Sequence, residues 1–110
     1  MKVEQKGNIS CISDTQGDLV SFVMKLTHEY KSFENQHLVI DLLGYENLTN
    51  KQVETFLPLS KIHKKAKKSF VIVVDKIDFN AVSENMSVVP TKIEAFDIIE
   101  MEDIERDLGF

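Results

Sequence analysis

Residues 37–74 read HLVIDLLGYENLTNKQVETFLPLSKIHKKAKKSFVIVV, and this stretch decides the fold that we predict. Residues 37–43 form a short apolar run that ends at Gly44, which is typical of a strand buried on both faces. Residues 69–74 form a second run of this kind, and the segment between the two runs predicts a helix. A strand, a helix and a strand joined by short loops form a βαβ unit, which implies a parallel sheet with a right-handed crossover.

The segment between the two strands begins with turn residues and ends with lysines. Residues 44–50 have turn chemistry, and Thr49 or Asn50 can cap the helix that follows. This loop would lie at the carboxyl end of a parallel strand, where α/β sheets usually carry their sites. We expect the helix to bend at Pro58, which has no backbone N–H to donate. Five lysines make the end of this segment basic: Lys61, Lys64, Lys65, Lys67 and Lys68.

The flanking segments complete the predicted α/β order β-β-α-β-α-β-(α)-β-α. Residues 1–15 predict an N-terminal β-hairpin. Asp18 is the predicted N-cap of the first helix, because apolar residues recur after it at helical spacing. Residues 86–90 predict a short strand, and Thr91 and Glu94 have capping-box spacing at the start of a last helix. We therefore expect a mixed sheet with helices packed on it.

The last helix carries apolar residues on more than one side. Phe96 and Ile99 fall among charged residues, and we predict them as an exposed pair that forms a second candidate contact for a partner. The alternative is that the helix is rolled or that the N-terminal hairpin covers the pair. The helix is expected to end at Gly109, with Phe110 folding back. A larger group shares the broad side that we assign to the sheet: Ile93, Ile98, Met101, Ile104 and Leu108.

Length and composition limit the class of protein. The 110 residues form one predicted domain, 1–110, and 43% of them are hydrophobic, enough for a real core. The net charge of −5 argues against a protein dedicated to nucleic acid or to membrane surfaces. No apolar run approaches the roughly 18 residues of a membrane span, and we expect no signal peptide. The single cysteine, Cys11, rules out an internal disulfide, so we expect a cytoplasmic protein.

The sequence offers no motif for catalysis or for a cofactor. The three histidines, His28, His37 and His63, form no pair at metal-ligand spacing, and a structural role is the prediction for each. Four glycines in the whole chain are too few for a phosphate-binding loop, and no Gly-x-Ser-x-Gly motif is present. We predict a protein that is not an enzyme, with no catalytic residue, no metal and no cofactor.

Charge is segregated along the chain. Residues 61–68 carry five lysines, whereas residues 94–107 carry seven acidic residues and one arginine. The simpler interpretation is that both are solvated helix faces. The alternative is that one of these faces binds an oppositely charged partner.

Several segments together resemble a STAS domain, the fold of bacterial anti-sigma factor antagonists and of the cytoplasmic domains of sulphate transporters. Residues 3–8 resemble the first hairpin of that family, and residues 38–44 resemble its central strand with an Asp-Leu-Ser-Gly-like end. Residues 61–74 are similar to the basic end of the second helix and the next strand. Residues 88–96 resemble the last strand and the capped final helix. The resemblance implies a STAS-like fold over nearly the whole chain.

The chain departs from the family at the position of its phosphorylated serine. The family sequence Asp-Ser-Ser-Gly at the start of the second helix falls on Thr49, Asn50, Lys51 and Gln52. In anti-sigma factor antagonists a kinase phosphorylates a serine there, and the added charge breaks the complex with the anti-sigma factor. Neither serine position holds a hydroxyl here, and helix capping is the better explanation for Thr49. We expect no phosphoserine switch.

The resemblance implies a non-catalytic, regulatory protein–protein interaction module of the bacterial cytoplasm. Its partner would be another protein, an anti-sigma-factor-like kinase or another regulator, and not nucleic acid or a membrane. Two alternatives stay open: a sensor that binds a nucleotide or anion at the amides of residues 50–52, and a small homo-oligomeric structural subunit or homodimer. Residues 76–80 are a further candidate contact. The candidate partner-binding residues are Gln16, Gly17, Asp18, Leu48, Thr49, Asn50, Lys51 and Gln52.

Overall fold

The apolar segments of the sequence form one mixed sheet in a computed structural model that describes residues 1–109. The fold is α/β, and the strand order in the sheet is β1-β2-β3-β4-β5. β1 pairs antiparallel with β2, which confirms the N-terminal hairpin, and the other strands are all parallel. The strands are β1 (Lys2–Lys6), β2 (Ile9–Ser13), β3 (His37–Asp41), β4 (Phe70–Val73) and β5 (Ser87–Val89).

Four α-helices connect or follow these strands within residues 1–109, and three short 3₁₀ turns accompany them. The second predicted helix is interrupted, as expected: its two α-helical parts are separated by a 3₁₀ turn, and Pro58 lies in the first turn of the second part. Proline is tolerated there because first-turn N–H groups have no partner inside the helix. The helices are α1 (Leu19–His28), α2 (Asn50–Val53), α3 (Leu57–Lys65) and α4 (Lys92–Asp107).

Successive side chains of the buried strands point to opposite faces of the sheet, and this divides the core into two layers. Leu38 and Ile40 of β3 belong to the core cluster that contains the side chains of α1 and α3. Val39, between them, belongs to the second cluster, under α4. In the first layer the rings of Phe22 and Phe56 pack edge to face, with centroids 6.0 Å apart. The central strands β3 and β4 are therefore buried on both faces, as the apolar run of β3 predicts.

The helix α4 packs on the sheet through a different side from the one predicted. Ala95 and Ile99 are buried against Val39, Val71 and Val73. Of the group assigned to the sheet, only Ile98 is partly buried there. The other four members are exposed to solvent: Ile93, Met101, Ile104 and Leu108.

Polar contacts explain this rotation of α4. Lys92 Nζ lies 3.2 Å from Asp41 Oδ2, and Asp103 Oδ1 lies 2.9 Å from Nε2 of the buried His37. Arg106 donates to Ser69 Oγ at 2.8 Å. The residues at 92, 95, 99, 103 and 106 share one side of the helix because of their spacing. Satisfying buried polar groups of the sheet outweighs burying the larger apolar side.

The helix ends agree with local chemistry. Asp18 and Thr91 accept hydrogen bonds from the backbone N–H groups of Ser21 and Glu94, as N-caps do. Gly109 has φ of +80°, which suits the left-handed stop predicted for α4. The predicted return of Phe110 lies outside the described residues. No helix within residues 1–109 has the length and apolar character needed to span a membrane.

Candidate functional site

Three loops meet at the carboxyl edge of the parallel strands. They are residues 14–18 after β2, residues 42–49 after β3 and residues 74–78 after β4. The eight candidate partner-binding residues, Gln16 to Asp18 and Leu48 to Gln52, belong to the first two of these loops and to α2. The second candidate contact, Phe96 and Ile99, lies elsewhere, on α4. Parallel strands place their carboxyl ends at one edge, so distant parts of the chain come together there.

Asp14 organises the first of these loops. Its carboxylate accepts hydrogen bonds from the backbone N–H groups of Gln16 at 3.0 Å and of Asp18 at 3.1 Å. The hydroxyl of Tyr45, in the loop after β3, donates to the same carboxylate. This contact ties the first loop to the second, so the backbone of Gln16 and Asp18 is held by a residue that the sequence did not single out.

The charge of Asp14 depends on these bonds. Partial burial alone would raise the pKa of Asp14, but the hydrogen bonds from Tyr45 and from backbone N–H groups outweigh it and hold the pKa below its ordinary value. Burial and the hydrogen bond to Asp14 raise the pKa of Tyr45. Asp14 is therefore an ionised acceptor and Tyr45 a neutral donor at neutral pH.

The start of α2 is closed by a reciprocal cap. Thr49 Oγ1 accepts the backbone N–H of Gln52 at 3.1 Å, and Gln52 Oε1 accepts the backbone N–H of Thr49 at 2.8 Å. Asn50 forms a second reciprocal pair, since its Nδ2 donates to Asp78 O at 2.7 Å and its Oδ1 accepts from Asp78 N at 3.2 Å. The start of α2 is thus joined to the third loop, and Thr49 serves as the cap that its sequence position indicates.

An open cavity of about 800 Å³ lies between α1 and the segment that joins β3 to α2. Its apolar lining includes Val20, Val23, Met24 and Leu48, and we call it the α1–α2 groove. Val20 is 69% exposed and Met24 67% exposed, although both are large and apolar. Solvent-exposed apolar walls in a concave site are typical of a surface that binds a partner.

The structure brings half of the candidate residues into this groove. Gly17, Asp18, Leu48 and Gln52 line it. The other four, Gln16, Thr49, Asn50 and Lys51, do not line it but lie next to these residues in the chain.

The apolar wall of the groove was not among the residues predicted from the sequence. Val20 and Met24 are four residues apart on α1 and therefore share one side of the helix, off the buried stripe of Leu19, Phe22 and Leu26. That spacing was the available signal. Tyr45 gave no comparable signal, because its contact with Asp14 joins residues 31 positions apart.

The prediction that Phe96 and Ile99 form an exposed second contact is wrong. Ile99 is only 1% exposed, and Phe96 is partly buried with Lys6 Nζ of β1 lying 5.6 Å from its ring centroid. Of the two alternatives, a rolled helix accounts for the burial of Ile99, and Lys6 of the hairpin lies over the ring of Phe96. Residues 1–109 contain no group of three His, Cys, Asp or Glu side chains able to hold a metal ion.

Removing the hydroxyl of Tyr45 tests the link between the loops. We expect Tyr45→Phe to lower the free energy of unfolding by about 1.5–3 kcal/mol at pH 7, because a hydrogen bond to a charged acceptor is lost. The pKa of Asp14 should rise at the same time. Urea unfolding gives the first quantity, and carboxyl carbon shifts in an NMR titration give the second. An unchanged Asp14 titration would show that the hydroxyl does not bond to it in solution.

Neither a scan against protein-family models nor a search of curated proteins found a match to this chain. The geometry of the α1–α2 groove and the residues that resemble a known family are therefore the grounds for a functional proposal.

Proposed function

We propose that the protein is a non-catalytic protein–protein interaction module of the STAS type, with the α1–α2 groove as its partner-binding surface. The observation that carries this proposal is the convergence of two independent lines on one place. Gly17, Asp18, Leu48 and Gln52 were candidates from the resemblance to anti-sigma factor antagonists, and they line the groove whose walls expose Val20 and Met24. The order of elements is compatible with that resemblance.

The groove suits an apolar anchor of another protein. Large side chains that insert into a concave apolar pocket dominate the energy of many protein interfaces. The Asp14 carboxylate accepts hydrogen bonds from the backbone N–H of Asp18 and the hydroxyl of Tyr45, and these bonds hold the rim in one conformation, which lowers the entropy lost on binding. By resemblance, the partner is an anti-sigma-factor-like kinase or another regulator in a cytoplasmic signalling pathway, and the serine-based switch of the family is not part of the proposal.

The anion-binding alternative has less support from the geometry. α2 has only four residues, and the N–H groups of Gln52 and Val53 are already bonded to Thr49. Lys51 is exposed and forms no ion pair within residues 1–109. A cation next to a four-residue helix whose Gln52 amide is already bonded is a weaker anion site than a long helix with free N–H groups.

Placing a charge in the groove tests the proposal. We expect Met24→Glu to abolish capture of the partner that the wild-type protein retains from its native cell extract, because a carboxylate would have to be buried against an apolar anchor. Its stability should change by less than about 0.5 kcal/mol, since Met24 is exposed. Quantitative mass spectrometry of the captured proteins, followed by calorimetry with the purified partner, measures the loss.

Ile93→Glu is the matched control, because it also replaces an exposed apolar helix residue but lies on α4, away from the groove. This variant should retain the partner. A partner held equally by Met24→Glu and the wild type would show that binding occurs elsewhere. A different result would favour the sensor alternative: a nucleotide raises the melting temperature of the wild type and of Met24→Glu equally, but not that of Lys51→Glu.

A further inference from the structure

The outer side of α4 is apolar although it faces solvent. Ile93 is 74% exposed, Met101 61%, Ile104 52% and Leu108 66%. Their spacing along the helix places them on one side, together with Asp97. Four exposed apolar residues on one side of a helix in a small protein are typical of an interaction surface. We call this row and its flanking acids the α4 outer face.

Carboxylates surround the row, and no cation within residues 1–109 pairs with them. The two basic residues of α4 point elsewhere: Lys92 pairs with Asp41, and Arg106 pairs with Asp103 and Ser69. Two outer faces brought together would therefore place like charges opposite each other in a desolvated contact, which is unfavourable. The occupant of this face must be basic as well as apolar. The exposed acids concerned are Glu94, Asp97, Glu100, Glu105 and Asp107.

The same chain carries a surface of that chemistry at the end of α3. Ile62 is 54% exposed, and Ala66 four positions later is also exposed, so the two share one side. Lys61 and Lys65 flank them and are exposed, and Lys67 follows in the turn. We call this surface the α3 basic end. It has an apolar centre and a positive rim, the complement of the α4 outer face.

The two surfaces cannot meet within one molecule. α3 and α4 both pack on β4 but belong to the core clusters on opposite faces of the sheet. No ion pair joins the lysines of residues 61–68 to the acids of α4 in the described part of the chain. A contact between them therefore requires a second copy.

We propose that the α4 outer face binds the α3 basic end of a second copy of this chain, head to tail. An interface between two different surfaces of the same protein is heterologous, so it continues to further copies or closes into a ring. Attraction between opposite charges makes this association sensitive to salt. The proposal is independent of the α1–α2 groove, which lies on α1 and α2 and stays free.

Complementation between two variants tests the head-to-tail arrangement. The first variant combines Met101→Ser with Ile104→Ser and disables only the α4 outer face. The second combines Lys61→Glu with Lys65→Glu and disables only the α3 basic end. Sedimentation equilibrium should give a mass that rises with concentration for the wild type, less so at high salt, and a monomer mass for each variant alone. An equimolar mixture should form a dimer and nothing larger, because one intact surface remains on each variant.

Each other result overturns the proposal. A wild type that is monomeric at all concentrations, or a first variant that associates as the wild type does, shows that α4 is not the interface. A mixture that stays monomeric while the wild type associates shows that the interface is not heterologous. Circular dichroism shows whether the variants are folded. If the first variant is unfolded, Ile93→Ser takes its place. Met24→Glu should associate like the wild type, so failure of the groove proposal and failure of this one are distinguishable.

Discussion

Truncating Ile99 to alanine should lower the free energy of unfolding by about 3 kcal/mol, within the usual range for large-to-small changes in a core. Ile99 is 1% exposed and lies in the core cluster with Val39 and Val71. The expected loss has two parts, the transfer free energy of the removed methyl and methylene groups and the cavity that they leave. Urea unfolding followed by circular dichroism measures it.

Ile104→Ala is the matched control, with the same change five positions along the same helix. Ile104 is 52% exposed, and the free energy of unfolding should change by less than about 0.5 kcal/mol. The measurement is made on dilute protein so that association between copies does not add to the stability. If Ile104→Ala were the more damaging change, α4 would pack on the sheet through the side that the helical projection suggested, and the rotation described above would be incorrect.

Acid should destabilise the protein through His63, which the structure buries completely. Gln36 O can only accept, so Nε2 of His63 carries the proton and donates to it at 2.6 Å. Nδ1 then accepts from the hydroxyl of Tyr30, also at 2.6 Å. The ring of Phe70 packs against the imidazole, and positive charge at His37 and Lys68 disfavours a further proton on it. All of these contacts suit a neutral imidazole.

The sign of the effect follows from the pKa of His63. Burial, with smaller contributions from His37 and Lys68, lowers this pKa from 6.5 to about 4, although the bond to Gln36 O opposes the shift. The unfolded chain therefore binds a proton before the folded one does, and stability falls as the pH drops. The stability that depends on neutral His63 is fully present above pH 6.5 and is lost progressively as the pH falls towards 4. Its size is about 3 kcal/mol.

The urea midpoint measured between pH 7.5 and pH 4.5 tests this expectation. The wild type should lose stability over this range, and His63→Gln, which starts from a lower stability, should lose less. His28→Gln removes a histidine at an exposed position of α1 and serves as the control, with the pH dependence of the wild type. Burial also lowers the pKa of His37, so part of the loss should persist in His63→Gln. A His63→Gln curve parallel to that of the wild type would contradict the assignment.

Much of the fold follows from short-range patterns. The apolar runs at 37–43 and 69–74 predicted the paired strands β3 and β4, and the turn residues around Thr49 predicted the cap of α2. Pro58 predicted the interruption between α2 and α3. Each of these features depends on groups a few residues apart, so the information is present in a window of sequence.

The candidate site was predictable only in part. The loop residues Gly17 and Leu48 were candidates through the family resemblance, and both line the α1–α2 groove. The groove itself was not identified, since it exists only because Val20 and Met24 come to lie opposite residues of a distant loop. The burial of His63 was likewise hidden, because the surrounding lysines give that segment the appearance of a solvated surface.

The helix α4 shows which features the local sequence determines and which only the tertiary structure decides. Its sequence determines that a helix is capped by Thr91 and ends near Gly109, because capping and the left-handed stop are local interactions. Apolar residues occur on several sides of this helix, so periodicity does not select one. The partners Asp41 and His37 on the sheet select it, by pairing with polar residues of α4. Those pairings join positions far apart in the chain, and only the tertiary structure brings them within bonding distance.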